Sequence, residues 1–132
     1  MYGENLLIDT QTFIWFVENN SKLPTSIRDI MENKQNELFV SMASLWEAVI
    51  KSSLGKLELK RNITETINDV HNVGFRILKI KPQHLITLHG LEQIHRDPFD
   101  RMIISQAITE NFTLVSSDLV FKQYGLKNLV GI

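Results

Sequence analysis

Hydrophobic and polar positions follow two alternating patterns along this chain of 132 residues, and the alternation predicts an α/β fold. Short apolar runs of the kind found in buried strands are each followed by segments whose apolar residues recur at helical spacing. Pro82 and Pro98 stand where helices are predicted to begin, and Gly55 and Gly74 stand where helices are predicted to end.

The predicted elements alternate from one end of the chain to the other. Strands are predicted at residues 5–8, 37–40, 75–80, 112–116 and 128–130. Helices are predicted at 12–18, 24–33, 42–54, 63–73, from 82 onward, at 98–110 and at 118–124. This order is typical of a parallel sheet with helices on both faces.

Length and composition indicate one globular domain that spans residues 1–132. The longest apolar run, residues 13–17, is far shorter than the roughly 20 residues that cross a bilayer, and the start of the chain lacks the pattern of a secretion signal. We therefore expect a cytoplasmic protein without a membrane span. The absence of cysteine excludes disulfides, thiol catalysis and thiolate metal sites.

Two acids follow predicted strands directly. Asp9 comes after the first strand and Asp118 comes after the strand at 112–116. Because the carboxyl ends of parallel strands meet at one edge of the sheet, where ligands bind, we expect these two side chains to converge. Each acid also precedes a predicted helix, so a role as an N-cap is an open alternative.

Glu47 borders the apolar stripe of its predicted helix, which places its carboxylate at the margin of the buried face. The stripe consists of Met42, Leu45, Trp46, Val49 and Ile50. A buried acid needs a partner, and two structural alternatives are a capping box with Ser44 and an ion pair with Lys51.

Asp100 precedes Ile103 and Ile104 by three and four residues, which places it on the core-facing side of its helix. The alternative is a helix start in which Asp97 is the N-cap and Asp100 lies near the positive end of the helix dipole. For Asp97 we expect the cap to be the whole role.

Carboxylates that are forced together cannot all stay ionised unless a positive charge joins them. Mg²⁺ or Mn²⁺ would accept their oxygens, bind substrate phosphates and lower the pKa of a bound water. The residues alone therefore indicate an α/β domain with an acidic cluster at the carboxyl end of its strands.

The four histidines do not form a convincing metal site, and surface or structural roles are expected for them, although His95 and Arg96 border the predicted site. Arg101 is a candidate for contact with phosphate or with a second copy of the chain. Four aromatic residues at core-forming spacing are expected to pack in the interior rather than to stack on bases: Phe13, Trp15, Phe16 and Trp46.

Four segments together resemble the PIN-domain ribonucleases of the VapC toxin type: LLIDTQTFIW, SMASLWEAVIKSSLGKLEL, HRDPFDRMIISQA and TLVSSDLVFKQYG. They occur in the order and at the spacing of that family, from about residue 5 to residue 130. The resemblance implies a three-layer α/β/α PIN fold, a Mg²⁺- or Mn²⁺-dependent endoribonuclease, a cognate antitoxin protein and a homodimer.

The resemblance also assigns roles to individual residues. The metal-binding and catalytic acids of the family fall on Asp9, Glu47, Asp100 and Asp118. Ser116 matches a polar residue that accompanies the last acid, and Lys51 and Arg101 are candidates for secondary roles or contact with RNA. Gln11 stands at a position where relatives vary, and Asp97 belongs to the DPFD motif without being expected as a ligand.

Two other functions remain alternatives at this level. A phosphatase with an acidic cluster would keep the metal and change the substrate. A PIN-like module could instead bind RNA or protein without cutting. Neither a phosphate-binding glycine-rich loop nor a Ser-His-Asp pattern is present, so nucleotide-cofactor and acyl-transfer enzymes are poor alternatives.

Overall fold

The computed structural model describes residues 3–126 and 129–130. The strands are β1 (Asn5–Ile8), β2 (Glu37–Ser41), β3 (Phe75–Leu78), β4 (Thr113–Val115) and β5 (Leu129–Val130). The helices are α1 (Thr10–Val17), α2 (Thr25–Glu32), α3 (Met42–Ser53), α4 (Ile63–Asn72), α5 (Pro82–His89) and α6 (Pro98–Glu110), followed by a 3₁₀ helix (Leu119–Tyr124).

The five strands form one sheet in the order β3-β2-β1-β4-β5, and every neighbouring pair is parallel. Strand β1 lies in the middle, and its residues Leu6, Leu7 and Ile8 are fully buried. A continuous apolar run is what a central parallel strand needs when both of its faces are covered.

Side chains of β1 point alternately to two separate cores, which define the layers. Leu6 and Ile8 join the core formed with α1, α2, α3 and α4, whereas Leu7 joins the core formed with α6 and the 3₁₀ helix. Helix α5 packs against α6. This arrangement confirms the predicted three-layer α/β/α fold. No helix in the described part of the chain has both the length and the apolar character of a membrane span.

The predicted elements are present, and their ends differ for local reasons. Strand β3 ends at Leu78 instead of residue 80, because its pairing partner Ser41 is the last residue of β2 before the chain turns into α3. Helix α1 begins at Thr10 because Asp9 caps it. The predicted helix at 118–124 is a 3₁₀ helix, and Asn128 of the predicted last strand lies outside the described residues.

The buried face of α3 is not the predicted one. Of the predicted stripe, Leu45 is buried, but Met42, Trp46 and Val49 are 42%, 58% and 41% exposed. The buried residues of α3 are Ala43, Ser44, Leu45, Glu47 and Ala48. The buried face of α3 is the one whose Ser44 and Glu47 meet the Thr10 hydroxyl of α1 at 2.8 and 2.7 Å, and the expectation that Trp46 packs in the core is wrong. Its ring instead meets Phe99 edge-on at 5.2 Å.

The other aromatic residues behave as expected. Phe13 is buried in the core, and Trp15 and Phe16 pack partly buried against it. The Phe13 and Phe16 rings both lie against Phe75 of β3, with centroid distances of 5.2 and 5.9 Å.

The burial of β4 predicts the outcome of a matched pair of truncations. Leu114→Ala should lower the free energy of unfolding by about 2–5 kcal/mol, because Leu114 is fully buried and its loss leaves a cavity. Ile86→Ala, at a position that is 71% exposed, should change it by less than about 0.5 kcal/mol. Urea unfolding of both variants checks this, and equal losses would contradict the described core.

Candidate functional site

A cleft of about 480 Å³ opens at the carboxyl end of the sheet. Its lining includes the four acids predicted from the sequence, Asp9, Glu47, Asp100 and Asp118. The expected convergence follows from strand order, since β1 and β4 are paired neighbours and each ends just before one of the acids. The cleft also includes Thr10, Gln11, Lys51, His95, Asp97 and Ser117.

Asp9 and Asp118 are joined through one buried hydroxyl. The Ser116 Oγ donates a hydrogen bond to Asp9 Oδ2 and accepts one from the backbone N–H of Asp118 at 2.9 Å. Asp9 Oδ1 accepts from the backbone N–H of Thr12 at 2.9 Å, so Asp9 is also the N-cap of α1. Asp118 caps the 3₁₀ helix through Val120 N–H at 3.0 Å. Both acids therefore cap a helix and line the cleft.

Glu47 is buried, with 6% of its surface exposed, and each of its carboxylate oxygens has a partner. Thr10 Oγ1 donates to Oε1 at 2.7 Å, and the Lys51 ammonium forms an ion pair and hydrogen bond with Oε2. Of the two structural alternatives for Glu47, the capping box with Ser44 is absent, because α3 begins at Met42 with Ser41 as its N-cap. The pair with Lys51 is present.

Asp97 and Asp100 open helix α6. Asp97 Oδ1 accepts from the backbone N–H groups of Phe99 and Asp100 at 2.9 and 3.1 Å, which is the expected cap. Asp100 is half-buried, and its Oδ2 lies 2.8 Å from His95 Nε2. His95, Asp97 and Asp100 each offer a ligand atom within 4.8 Å of the others.

Comparison with known protein families matches residues 6–127 to the PIN domain. The chain belongs to the PIN domain family. No curated protein matches the chain.

Several solved structures share the fold of this PIN domain. They include VapBC2 of Rickettsia felis bound to a promoter DNA fragment, at 18% identity and a TM-score of 0.67, with 97% of each chain covered. VapBC-1 of nontypeable Haemophilus influenzae gives 17% identity and a TM-score of 0.66, covering 97% of this chain and 96% of that one. A toxin-antitoxin complex of Klebsiella pneumoniae gives 17% identity and a TM-score of 0.62, covering 95% of each chain.

Burial raises the pKa of two acids in the cleft of this PIN domain, Asp9 and Asp100. Burial raises the pKa of Asp9 above its ordinary value, although hydrogen bonds from Ser116 and Thr12 oppose the rise. Burial likewise raises the pKa of Asp100 to about 6. The hydrogen bond with His95 opposes that rise, and the negative charges of neighbouring acids add to it.

The Lys51 ammonium places a positive charge against the acids of the cleft, through its ion pair with Glu47. Its hydrogen bond to Glu47 raises the pKa of the Lys51 ammonium, burial opposes the rise, and the charges of Asp97 and Asp100 add to it. The Lys51 side chain is 39% exposed, so it remains in contact with solvent at the edge of the cleft.

The donor set suits a hard divalent cation. Carboxylate oxygens are the ligands that Mg²⁺ and Mn²⁺ prefer, and those of Asp9, Glu47, Asp100 and Asp118 line one cleft. Bringing such a cation among these oxygens would favour their ionised forms. The residues present therefore fit the metal that the sequence motifs implied.

Arg101 does not reach the cleft. It is 8% exposed, and its guanidinium donates to backbone carbonyls of Leu91, Glu92 and His95. The structure does not support the predicted contact with phosphate, because these carbonyls occupy the guanidinium. The burial of Arg101 decides this, and the residue type alone does not reveal that burial.

Two residues at the site were not predicted to have these roles. Thr10 holds Glu47, and His95 contacts Asp100 although a metal-site role for the histidines was not expected. In the sequence, Thr10 stands next to Asp9, and His95 stands five residues before Asp100. Neither spacing predicts a contact without knowledge of the fold. His84 is fully buried against Glu110 and Gln106, in agreement with a structural role.

The raised pKa of Asp100 predicts an inverse pH dependence for the cation-free protein. Because the folded state binds the proton more tightly than the unfolded state, stability should fall as pH rises from about 4 through about 6. Asp100→Asn replaces the ionisable carboxyl by a neutral amide, which avoids the cost of the buried charge, and should raise the free energy of unfolding at pH 7 by about 1–3 kcal/mol. Urea unfolding in chelator across pH 4–8 measures both effects.

The matched control for that experiment is Asp29→Asn, at an exposed position on α2. Its stability curve should run parallel to that of the wild type. An Asp100→Asn variant that is less stable than the wild type at pH 7, with an unchanged slope, would contradict the described environment of Asp100.

Proposed function

We propose that this PIN domain is a divalent-cation-dependent endoribonuclease and the toxin of a toxin-antitoxin pair. The observation that carries the proposal is the convergence of Asp9, Glu47, Asp100 and Asp118 on one cleft at the carboxyl end of the sheet. An acidic cleft repels a polyanion unless cations are bound there, so a site of this kind suits cation-assisted cleavage of phosphodiester bonds.

In the proposed site, Asp9, Glu47 and Asp100 would hold one or two Mg²⁺ or Mn²⁺ ions directly or through water, and Asp118 would complete the site. Such a cation lowers the pKa of a water and stabilises charge that develops on the phosphodiester. Ser116 fixes the Asp9 carboxylate and Thr10 fixes that of Glu47, so neither acid has to reorganise when the substrate arrives.

The Lys51 ammonium is positively charged and therefore attracts the phosphates of RNA. It lies at the exposed edge of the cleft beside Glu47, where an incoming strand would pass. Attack of water on phosphorus with departure of the 3′ oxygen leaves a 5′-phosphate and a 3′-hydroxyl. These are the ends that the proposed enzyme should produce.

The proposed partners are RNA, an antitoxin protein and a second copy of the chain. The solved VapBC complexes support the antitoxin, because chains of this fold occur in them. The exposed Met42, Trp46 and Val49 of α3 support a protein partner, since an apolar surface of this kind is a common mark of an interface. We propose that the whole chain, residues 1–132, is one PIN domain that acts in the cytoplasm, where RNA is available.

The nuclease proposal predicts the behaviour of a matched pair of variants. Purified protein without antitoxin should cut a mixed RNA pool at discrete positions with Mg²⁺ or Mn²⁺, and chelator should stop the cutting. Asp9→Asn should lose about 100-fold or more of the rate, because a cation ligand is lost, whereas Asp29→Asn should keep it. Mapping of the cut ends and circular dichroism of each variant provide the measurements.

Other results of the same assay would contradict the proposal. Release of phosphate from a phosphomonoester without cleavage of RNA would favour a phosphatase. Binding of RNA without cleavage, by a folded protein that takes up Mn²⁺, would favour a binding module.

The toxin proposal predicts an effect on growing cells. Production of the wild-type chain in a bacterial host should arrest growth, whereas production of Asp100→Asn at the same level should not, because the cation site is impaired. Colony counts after induction measure this. Equal arrest by both chains would show that toxicity does not depend on the cleft.

A further inference from the structure

The loop between α5 and α6 carries a side chain that the proposed reaction has not yet used. His95 lies on this loop, lines the cleft and places its Nε2 atom 2.8 Å from Asp100 Oδ2. Its side chain is 27% exposed, so the imidazole is partly protected from water. The segment from Leu91 to Asp97 has no regular secondary structure. Its backbone N–H and C=O groups therefore need hydrogen-bond partners other than those of a helix or strand.

The buried Arg101 side chain supplies those partners. The Nη1 atom of Arg101 donates to the carbonyls of Glu92 and His95 at 2.8 and 3.3 Å, and Nη2 donates to the carbonyl of Leu91 at 3.4 Å. Among the described residues, Arg101 forms no ion pair with a carboxylate. Burial of a guanidinium costs free energy unless its N–H groups have hydrogen-bond partners. Here the partners are carbonyls of the loop, so the buried Arg101 side chain fixes the position of the loop backbone.

Tyr124, at the end of the 3₁₀ helix, contacts the same loop beside Arg101. Its hydroxyl accepts a hydrogen bond from the backbone N–H of His95 at 2.8 Å and lies 3.4 Å from Arg101 Nη1. Arg101 and Tyr124 therefore bind both polar groups of the His95 backbone. We call these two residues the loop clamp.

Asp100 needs an external support of this kind. It stands in the first turn of α6, beside the acid that caps the helix, and the nearby negative charges of Asp97 and Glu47 act on it. Repulsion pushes a carboxylate in such a position away from its neighbours. A bound cation would instead require the Asp100 and Glu47 carboxylates to face it together. A hydrogen bond from His95 to Oδ2 restrains the carboxylate and leaves lone pairs for a cation.

We propose that His95 is a positioning residue of the cleft, which orients the Asp100 carboxylate for cation binding while the loop clamp orients His95. This inference rests on the proposed function, because it assigns Asp100 to a cation site. It assigns to His95 a contact with another side chain and none with the RNA.

Substitutions of His95 separate orientation from packing. His95→Ala should weaken Mn²⁺ binding about 10-fold to 100-fold and lower kcat on an RNA oligonucleotide with one mapped cut by a similar factor, with KM changed much less. His95→Gln should recover most of both losses, because its amide nitrogen can reach the place of Nε2. His95→Asn should not, because its shorter amide reaches only the place of Nδ1.

The loop clamp gives a second, milder variant. Tyr124→Phe removes the acceptor of the His95 N–H and keeps the ring, so it should weaken Mn²⁺ binding in the same direction but by a smaller factor. In the double variant with His95→Ala, the change at Tyr124 should add little, because the residue that it positions is gone. His71→Ala, at an exposed position on α4, is the matched control and should bind Mn²⁺ like the wild type.

Calorimetric titration with Mn²⁺ and single-substrate kinetics decide between the outcomes. Wild-type Mn²⁺ affinity and kcat in His95→Ala would overturn the inference, and so would equal recovery by Gln and Asn. Additive losses in the double variant would overturn the role of the clamp. Failure of the wild type itself to bind Mn²⁺ or to cut RNA would instead overturn the proposed function, and this inference with it.

Discussion

Burial of carboxylates at the carboxyl end of the sheet, beside other carboxylates, is the constraint on which this site depends. Burial raises the pKa of Asp9 and of Asp100, and the charges of neighbouring acids add to the rise. Hydrogen-bond donors of several kinds contact these carboxylates. Backbone N–H groups serve Asp9, Asp97 and Asp118, hydroxyls serve Asp9 and Glu47, and an ammonium and an imidazole serve Glu47 and Asp100.

Helix capping and the cleft are two uses of the same geometry. A helix that follows a parallel strand starts at the carboxyl end of the sheet, so the residue that caps the helix also lies at the edge where ligands bind. Asp9 and Asp118 satisfy both requirements at once. The capping and ligand interpretations of these residues, which compete in the sequence, are therefore compatible in the structure.

The interior of the site is supported by residues that are remote in the sequence. Ser116 lies in the strand-to-helix connection after β4, yet its hydroxyl fixes an acid at the end of β1. Thr10 lies on α1 and fixes an acid on α3. These contacts link the pairing of β1 with β4 and the packing of α1 against α3 to the geometry of the cleft. A change in either packing contact would move a carboxylate.

Patterns in the sequence are enough to predict the alternation of strands and helices, the parallel sheet, and the position of acids directly after its strands. Local rules are sufficient there, because apolar runs, helix caps and chain order act over a few residues. The cleft acids Asp9 and Asp118 could be placed for that reason. Only the packing of α3 against other elements, including the contacts of Thr10 on α1 with Ser44 and Glu47, decides that Glu47 is buried and Trp46 is exposed. Tertiary structure also decided that Arg101 serves a loop and that His95 meets Asp100, because both contacts depend on the path of a loop for which no periodic pattern exists.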